Sequence, residues 1–348
     1  MPTPMSSWLE QEIYSQPALI AALLERVIPQ IEGITARLPA FSYALIAARG
    51  SSDHAATYAK YAWAAMAGYP VALAAPSLYT IYQTPPRMEG ALVVGISQSG
   101  QSPDIVAVLA EAQRQGRPTL AITNARSSPL GATADEVIEL GVGVERSVAA
   151  TKTYSAQLAI MAAFAAALSG ARARMDELRA LPDAMAAILR GTNDIARRIK
   201  GYREMTGCAV IGRGYNYATA FEVALKLKEL TYVLANAYSS ADFRHGPIAT
   251  IGHGSPVLLI MPGGAAYADL WDLARDLQQR EADLLVISDM PEALALARTP
   301  LALATSVPEW ISPLATILPG QVFALQLTLA KGLDPDAPRG LHKVTRTL

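Results

Sequence analysis

The sequence predicts an α/β protein made of two doubly wound units, each a parallel sheet with helices on both faces. Three observations predict it. Apolar runs of strand length lack polar–apolar alternation, the pattern of strands buried on both faces. Helix-length amphipathic segments separate these runs, so neighbouring strands are joined by crossovers and lie parallel. The chain also matches itself when shifted by about 165 residues, the mark of an internal duplication.

The elements follow in order. Tyr43 to Ala48 reads as a strand that breaks at Arg49-Gly50, and Cys208 to Gly212 repeats it, breaking at Arg213-Gly214. Ala91 to Ile96 is a second apolar run and matches Pro256 to Met261; Thr119 to Thr123 is a third and matches Leu284 to Ser288. Helical spacing fills the gap between second and third strands of each half, over Asp104 to Arg114 and Asp269 to Arg280. Residues 170–205, rich in Arg and Ala, read as further helices without assigned chemistry. The predicted domains are 1–180 and 181–348.

Function is first suggested by Ser97-Gln98-Ser99-Gly100-Gln101-Ser102, which follows the strand Ala91 to Ile96 directly. Pro103 suits a first helical turn, so the hydroxyls fall at a helix N-terminus, where free N–H groups and the macrodipole favour an anion. Ser97, Gln98, Ser99 and Ser102 add neutral donors, suited to a phosphate on a polyol more than to a nucleotide triphosphate, which needs a P-loop lysine. These residues alone favour an ordinary serine-capped βα turn, since Ser and Gly are the default residues of such turns. Ligands of open α/β sheets bind beyond the carboxyl ends of the strands, where Gly50-Ser51-Ser52 also falls. Dinucleotide binding is set aside, because Gly212-Arg213-Gly214 has Tyr217 in place of the third fingerprint glycine.

A helix pattern over Ala220 to Leu230 places Glu222, Lys226 and Glu229 on one face and Lys228 elsewhere. Such a stripe is either solvated and laced by i,i+4 pairs or a partly buried acid/base site; pattern alone favours the solvated stripe.

Composition narrows the classes. The 348 residues are 51% hydrophobic and 17% charged, with a formal charge of −1, so neither nucleic acid nor an acidic membrane is an expected partner. The apolar run Leu158 to Leu168 is short for a bilayer, and the first residues lack a signal-peptide layout, so the chain is expected to be cytoplasmic. Cys208, the single cysteine, reads as a buried filler. The histidines His54, His245, His253 and His342 show no metal-ligand spacing, so no metal is expected.

Several motifs in order make the chain resemble the sugar isomerase (SIS) family, in its tandem form. They are Gln11-Glu12-Ile13-Tyr14-Ser15-Gln16-Pro17, Gly50-Ser51-Ser52, Ser97-Gln98-Ser99-Gly100, Ala150-Thr151-Lys152, the run from Ala224 to Glu229, Arg244-His245-Gly246-Pro247, and the run from Pro338 to Thr345. The resemblance implies two flavodoxin-like three-layer SIS subdomains and a homodimer. It implies that Gly50, Ser52, Ser97, Gln98, Ser99 and Ser102 hold a sugar phosphate. It further implies Glu229 as the acid/base between C1 and C2, Lys226 as the cation beside the developing enediol oxygen, and Glu222 as its orienter. His245 would open the sugar ring, reaching a site on the neighbouring subunit, and Lys343 is a candidate imine former on a tail that folds over the sugar. Read without the resemblance, His245 is a loop histidine and Lys343 a solvated charge. Gly263-Gly264 replaces the serine loop in the second half, so one phosphate site per chain is expected.

Compared with the synthase of this family, the chain shows no glutaminase segment and no cysteine at residue 2, which points away from glutamine as ammonia source. Asn236, Ala150 and His342 stand where the synthase carries Glu, Ser and Ala. The expectation is an enzyme without cofactor that converts glucosamine-6-phosphate to fructose-6-phosphate and ammonia. A fructosamine-phosphate deglycase, a plain aldose–ketose isomerase and a non-catalytic phosphosugar sensor are the alternatives. The sensor reading is opposed by the absence of a basic patch or a DNA-binding segment.

Overall fold

Two five-stranded sheets organise the chain, and every strand pairing in them is parallel. The computed structural model describes residues 7–343. These divide into an amino-terminal unit, residues 18–145, 152–179 and 342–343, and a carboxy-terminal unit, residues 7–17, 146–151 and 180–341.

In the amino-terminal half the order is α1 (Trp8–Arg37), β1 (Tyr43–Ala47), α2 (Ser51–Ala67), β2 (Val71–Leu73), α3 (Ser77–Thr80), β3 (Ala91–Ile96), α4 (Pro103–Arg114), β4 (Thr119–Thr123), α5 (Pro129–Thr133), β5 (Glu136–Glu139), α6 (Lys152–Ser169) and α7 (Arg172–Arg190). The sheet runs β2-β1-β3-β4-β5. Every residue of β3 and β4 is buried, which is why their sequences are apolar without alternation. Val93 and Ala121 meet Ile105, Val108 and Leu109 of α4 in one core layer. Helices α2 and α6 pack together, and the buried Trp63 indole donates to the Met161 carbonyl at 3.0 Å.

The second half continues with α8 (Ile195–Arg198), β6 (Gly207–Gly212), α9 (Tyr217–Thr231), β7 (Leu234–Ser239), α10 (Ser240–Arg244), β8 (Pro256–Ile260), α11 (Tyr267–Gln279), β9 (Asp283–Ser288), α12 (Pro291–Leu296), β10 (Thr299–Ala302) and α13 (Ser312–Ala330). Its sheet order, β10-β9-β8-β6-β7, repeats the first, as the duplication predicts. Val257, Leu259 and Val286 pack on Leu270, Leu273 and Leu277 of α11. Burial raises the Cys208 thiol to about 12, so it stays a neutral filler.

One stretch corrects the hydropathy reading, which weighed Leu158 to Leu168 alone. Glu309–Ala330 is long and apolar enough to cross a bilayer, yet 83% of its apolar window is buried inside the protein, so core packing accounts for its composition. Its helix α13 packs on α9, with Gly320 against Val223.

A Cβ on Gly320 would come 2.5 Å from Val223 Cγ2. Gly320→Ala gains about 1 kcal/mol of helix propensity but incurs about 1–3 kcal/mol of overpacking. Thermal unfolding is therefore expected to show Gly320→Ala as destabilising in the native background and stabilising in a Val223→Ala background. The same sign in both backgrounds would contradict the close approach.

Candidate functional site

In the amino-terminal unit two loops leave the sheet side by side where its strand order reverses. β1 connects outward to β2 and β3 connects the other way to β4, while β1 and β3 pair directly, with Ala47 opposite Gly95. Loops leaving two such strands diverge and open a crevice at their carboxyl ends. Here those loops are Gly50-Ser51-Ser52 and Ser97 to Ser102.

The serine loop is shaped by its own hydroxyls. Gly100 N donates to Ser97 Oγ at 3.2 Å and Gln101 N to Ser99 Oγ at 3.3 Å; Ser97 Oγ and Ser102 Oγ lie 3.3 Å apart. Gly100 has φ +63°, and a Cβ there would meet Ser128 Oγ at 2.0 Å, so only glycine fits. Ser102 is the N-cap of α4 in extended conformation, but its side chain makes no capping bond. Gly50 caps α2 with φ +54°, again a conformation that favours glycine. Ser52 accepts from the buried Gln157 Nε2 at 3.0 Å. Two residues that the sequence reading passed over fix the crevice. The fully buried Asp104 carboxylate, one residue into α4, holds Arg49 Nε at 2.9 Å and ties the β1 loop to the serine-loop helix.

The carboxy-terminal unit carries the ionisable cluster on α9. Lys226 Nζ lies 2.6 Å from Glu229 Oε2 and 3.3 Å from Glu222 Oε1. Exposure decides between the two readings of this stripe: the side chain of Lys226 is 1% exposed, Glu222 0% and Glu229 23%. The solvated-stripe reading is thus corrected: Glu222 and Lys226 are buried, on a helix that packs against α13 and the sheet strands β6 and β7. Lys228 is exposed, as its spacing predicts. Buried charges persist only when paired, so one ammonium is shared by two carboxylates, and the outer one still reaches solvent.

His245 follows α10 immediately and is exposed. Its Nδ1 is 2.8 Å from the Ala241 carbonyl, an acceptor only, so Nδ1 carries a proton and, in the neutral ring, Nε2 has the lone pair. Gly246 follows with φ +136° and turns the chain away.

Lys343 belongs to the amino-terminal unit, where its Nζ is 2.7 Å from Glu145 Oε2. Glu145 is fully buried at its side chain and also accepts from Thr153 N at 3.1 Å and Thr153 Oγ1 at 2.7 Å. Lys343 is therefore an ion-paired ammonium and not the solvated charge its position in the chain suggests. Nothing local marks Glu145 as its partner; only the tertiary fold joins them. Val344 and Thr345 of the carboxy-terminal motif lie outside the described residues.

At the switch point of the second sheet an internal carboxylate takes the place of the serine loop. Glu309 Oε2 accepts from Ala265 N at 2.9 Å and Oε1 from Ala266 N at 3.2 Å, at the N-terminus of α11. A Cβ on Gly264 would lie 2.3 Å from Glu309 Cδ, so the glycine makes room for this carboxyl. No group of three or more His, Cys, Asp or Glu side chains placed to hold a metal occurs among the described residues.

The sequence profile of the SIS domain matches residues 43–167 and again 207–331, and the chain belongs to this family as a tandem of two SIS domains. It is 35% identical over 353 residues to the isomerizing glutamine–fructose-6-phosphate aminotransferase of Gloeobacter violaceus, an alignment covering 96% of this chain and 57% of that protein. The chain thus spans little more than half of that relative. A solved protein of Silicibacter pomeroyi, assigned as a phosphosugar isomerase, is 32% identical with TM-score 0.83, covering 95% of this chain and 100% of that one. A glucosamine-6-phosphate deaminase of Thermotoga maritima shares the fold at TM-score 0.79 and 19% identity, covering 98% of this chain and 100% of that one.

Lys226→Met withdraws the cation from two carboxylates and is expected to cost about 3–5 kcal/mol, seen as a large fall in thermal midpoint. Adding Glu222→Leu should recover part of that loss. A double variant as unstable as the sum of the single changes would contradict the pairing.

Proposed function

We propose that this chain converts an amino-sugar 6-phosphate between aldose and ketose forms, and that with glucosamine-6-phosphate the products are fructose-6-phosphate and ammonia. The observation that carries the reading is the buried Lys226 ammonium held between Glu222 and Glu229. Proton transfer between adjacent carbons needs a positioned carboxylate at the C–H bond and a cation where the enolate oxygen develops. Glu229, the partly exposed member of the cluster, suits the first role and Lys226 the second. Glu222, on the buried side, holds the lysine.

The residues divide the steps as follows. His245 Nε2, the unprotonated ring nitrogen, accepts the proton of the anomeric hydroxyl, and a proton returns to the ring oxygen as the C1–O5 bond opens. Glu229 then removes the C2 proton from the open aldehyde, and the electron pair moves through C1–C2 onto O1 beside Lys226. Reprotonation at C1 leaves an imine at C2, which water hydrolyses to the ketose and ammonia. Ser52, Ser97, Gln98, Ser99 and Ser102 would hold the phosphate with neutral donors and the α4 N-terminus. Glu309, already seated on the corresponding helix of the second half, supports one phosphate site per chain.

Lys343 enters as an ammonium, and an imine former must first lose a proton; Glu145, at 2.7 Å, is the adjacent acceptor. The exposure of His245 suits the homodimer that the resemblance implies, in which the ring serves the neighbouring subunit's site.

Incubation with glucosamine-6-phosphate is expected to release ammonia and fructose-6-phosphate in equal amounts. Glu229→Gln should lower turnover by about 10²–10⁴-fold with little change in KM. Interconversion of phosphosugars without ammonia would favour the plain isomerase, cleavage of a fructosamine phosphate the deglycase, and tight binding without turnover the sensor. In a second test, inactive Glu229→Gln and His245→Ala chains are allowed to exchange subunits. Recovered activity is expected for a shared site, and none if each chain uses its own His245.

A further inference from the structure

We propose that Asp269 is the positioning residue that aims His245, by clamping both ends of the short helix that carries it. The proposal rests on the phosphosugar reading for what His245 does, but not for how the ring is held. Helix α10 spans Ser240–Arg244, far too short to be stable alone. Its first residue, Ser240, donates its hydroxyl to Asp269 Oδ2. Its last residue, Arg244, donates Nη1 to Asp269 Oδ1 at 2.8 Å and Nη2 to the Asp269 carbonyl at 2.8 Å. The ring of His245 in turn bonds the Ala241 carbonyl inside the clamped segment. Gly246 follows at once in a conformation that other residues rarely adopt, so the aim of the ring depends on what precedes it.

The duplication adds an independent argument. A shift of about 165 residues places Asp269 on Asp104, and about the same shift places Arg213 on Arg49. In the first half that aspartate bonds Arg49 directly. In the second half its hydrogen bonds go to Ser240 and Arg244, the residues that bracket the helix before His245. Burial disfavours the Asp269 carboxylate, but the Ser240 bond and the charges of Arg244 and Arg213 outweigh that and hold its pKa below the ordinary value. The clamp is therefore charged at neutral pH.

The test compares Asp269→Asn and Arg244→Gln with the native chain in two readouts. One is the tautomer of His245, read from long-range ¹H–¹⁵N spectra and assigned with His245→Gln. The other is turnover of glucosamine-6-phosphate against its 4,5-dideoxy analogue, which has no hydroxyl able to close a five- or six-membered ring. The native ring should show a single Nδ1–H tautomer, and either variant should show a mixture. Closed-ring turnover should fall about 10–100-fold, while the open-chain analogue is turned over at nearly the native rate. The double variant should be no worse than either single one. An unchanged tautomer in both variants, or equal losses on both substrates, would overturn the clamp. If the native chain turns over neither substrate, the phosphosugar reading fails and the tautomer alone decides the clamp.

Discussion

The buried ammonium of Lys226 is the interaction on which the carboxy-terminal unit is arranged. Taking an ammonium and a carboxylate out of water costs several kcal/mol per ion, and that cost is offset only where partners sit in fixed, close geometry. Three devices supply the geometry. Spacing of four and three residues stacks Glu222, Lys226 and Glu229 along one helix face. Gly320 lets α13 pack closely on α9 at Val223, next in sequence to Glu222. Tyr232 ends the helix in the left-handed region at φ +59°, and its hydroxyl accepts from Arg339 N at 2.7 Å. Glu229 is the member of this cluster left partly open to solvent, at 23% side-chain exposure.

Duplication gave the protein two copies of the same switch point, and the copies have diverged through a few residues. In the first, hydroxyls and a bare helix cap line the crevice, and Asp104 braces the two loops. In the second, Gly264 and Glu309 fill the corresponding helix end with a carboxylate, and Asp269 is turned toward α10. The same backbone thus carries a hydroxyl-rich loop at the helix end in one half and an internal carboxylate at the corresponding helix end in the other. This is how an α/β scaffold acquires function, through loops at the carboxyl ends of its strands and not through the sheet itself.

Much of the frame was legible in the sequence because parallel strands buried on both faces leave a strong apolar trace. Ala91 to Ile96 and Thr119 to Thr123 form strands over those same residues. Short elements such as β2 and α3, with three and four residues, leave too little pattern to read. The serine loop was legible as the turn from β3 into α4 because glycine, serine and Pro103 are local signals of a turn and a helix start. The α9 cluster was legible in its spacing but misread in its burial, since periodicity defines a face without saying what covers it. The contacts of Glu145 with Lys343 and of Asp269 with Arg244 span 198 and 25 residues and leave no local trace. Such pairs are found only when the fold is known.

The most direct measurement follows the hydrogen at C2. Glucosamine-6-phosphate deuterated at C2 would be turned over and the fructose-6-phosphate examined for the position and stereochemistry of label at C1. Transfer by a single carboxylate predicts slower turnover than with protium, with label either delivered to one face of C1 or lost to solvent. An unchanged rate, or label scattered over both faces of C1, would contradict proton transfer by Glu229.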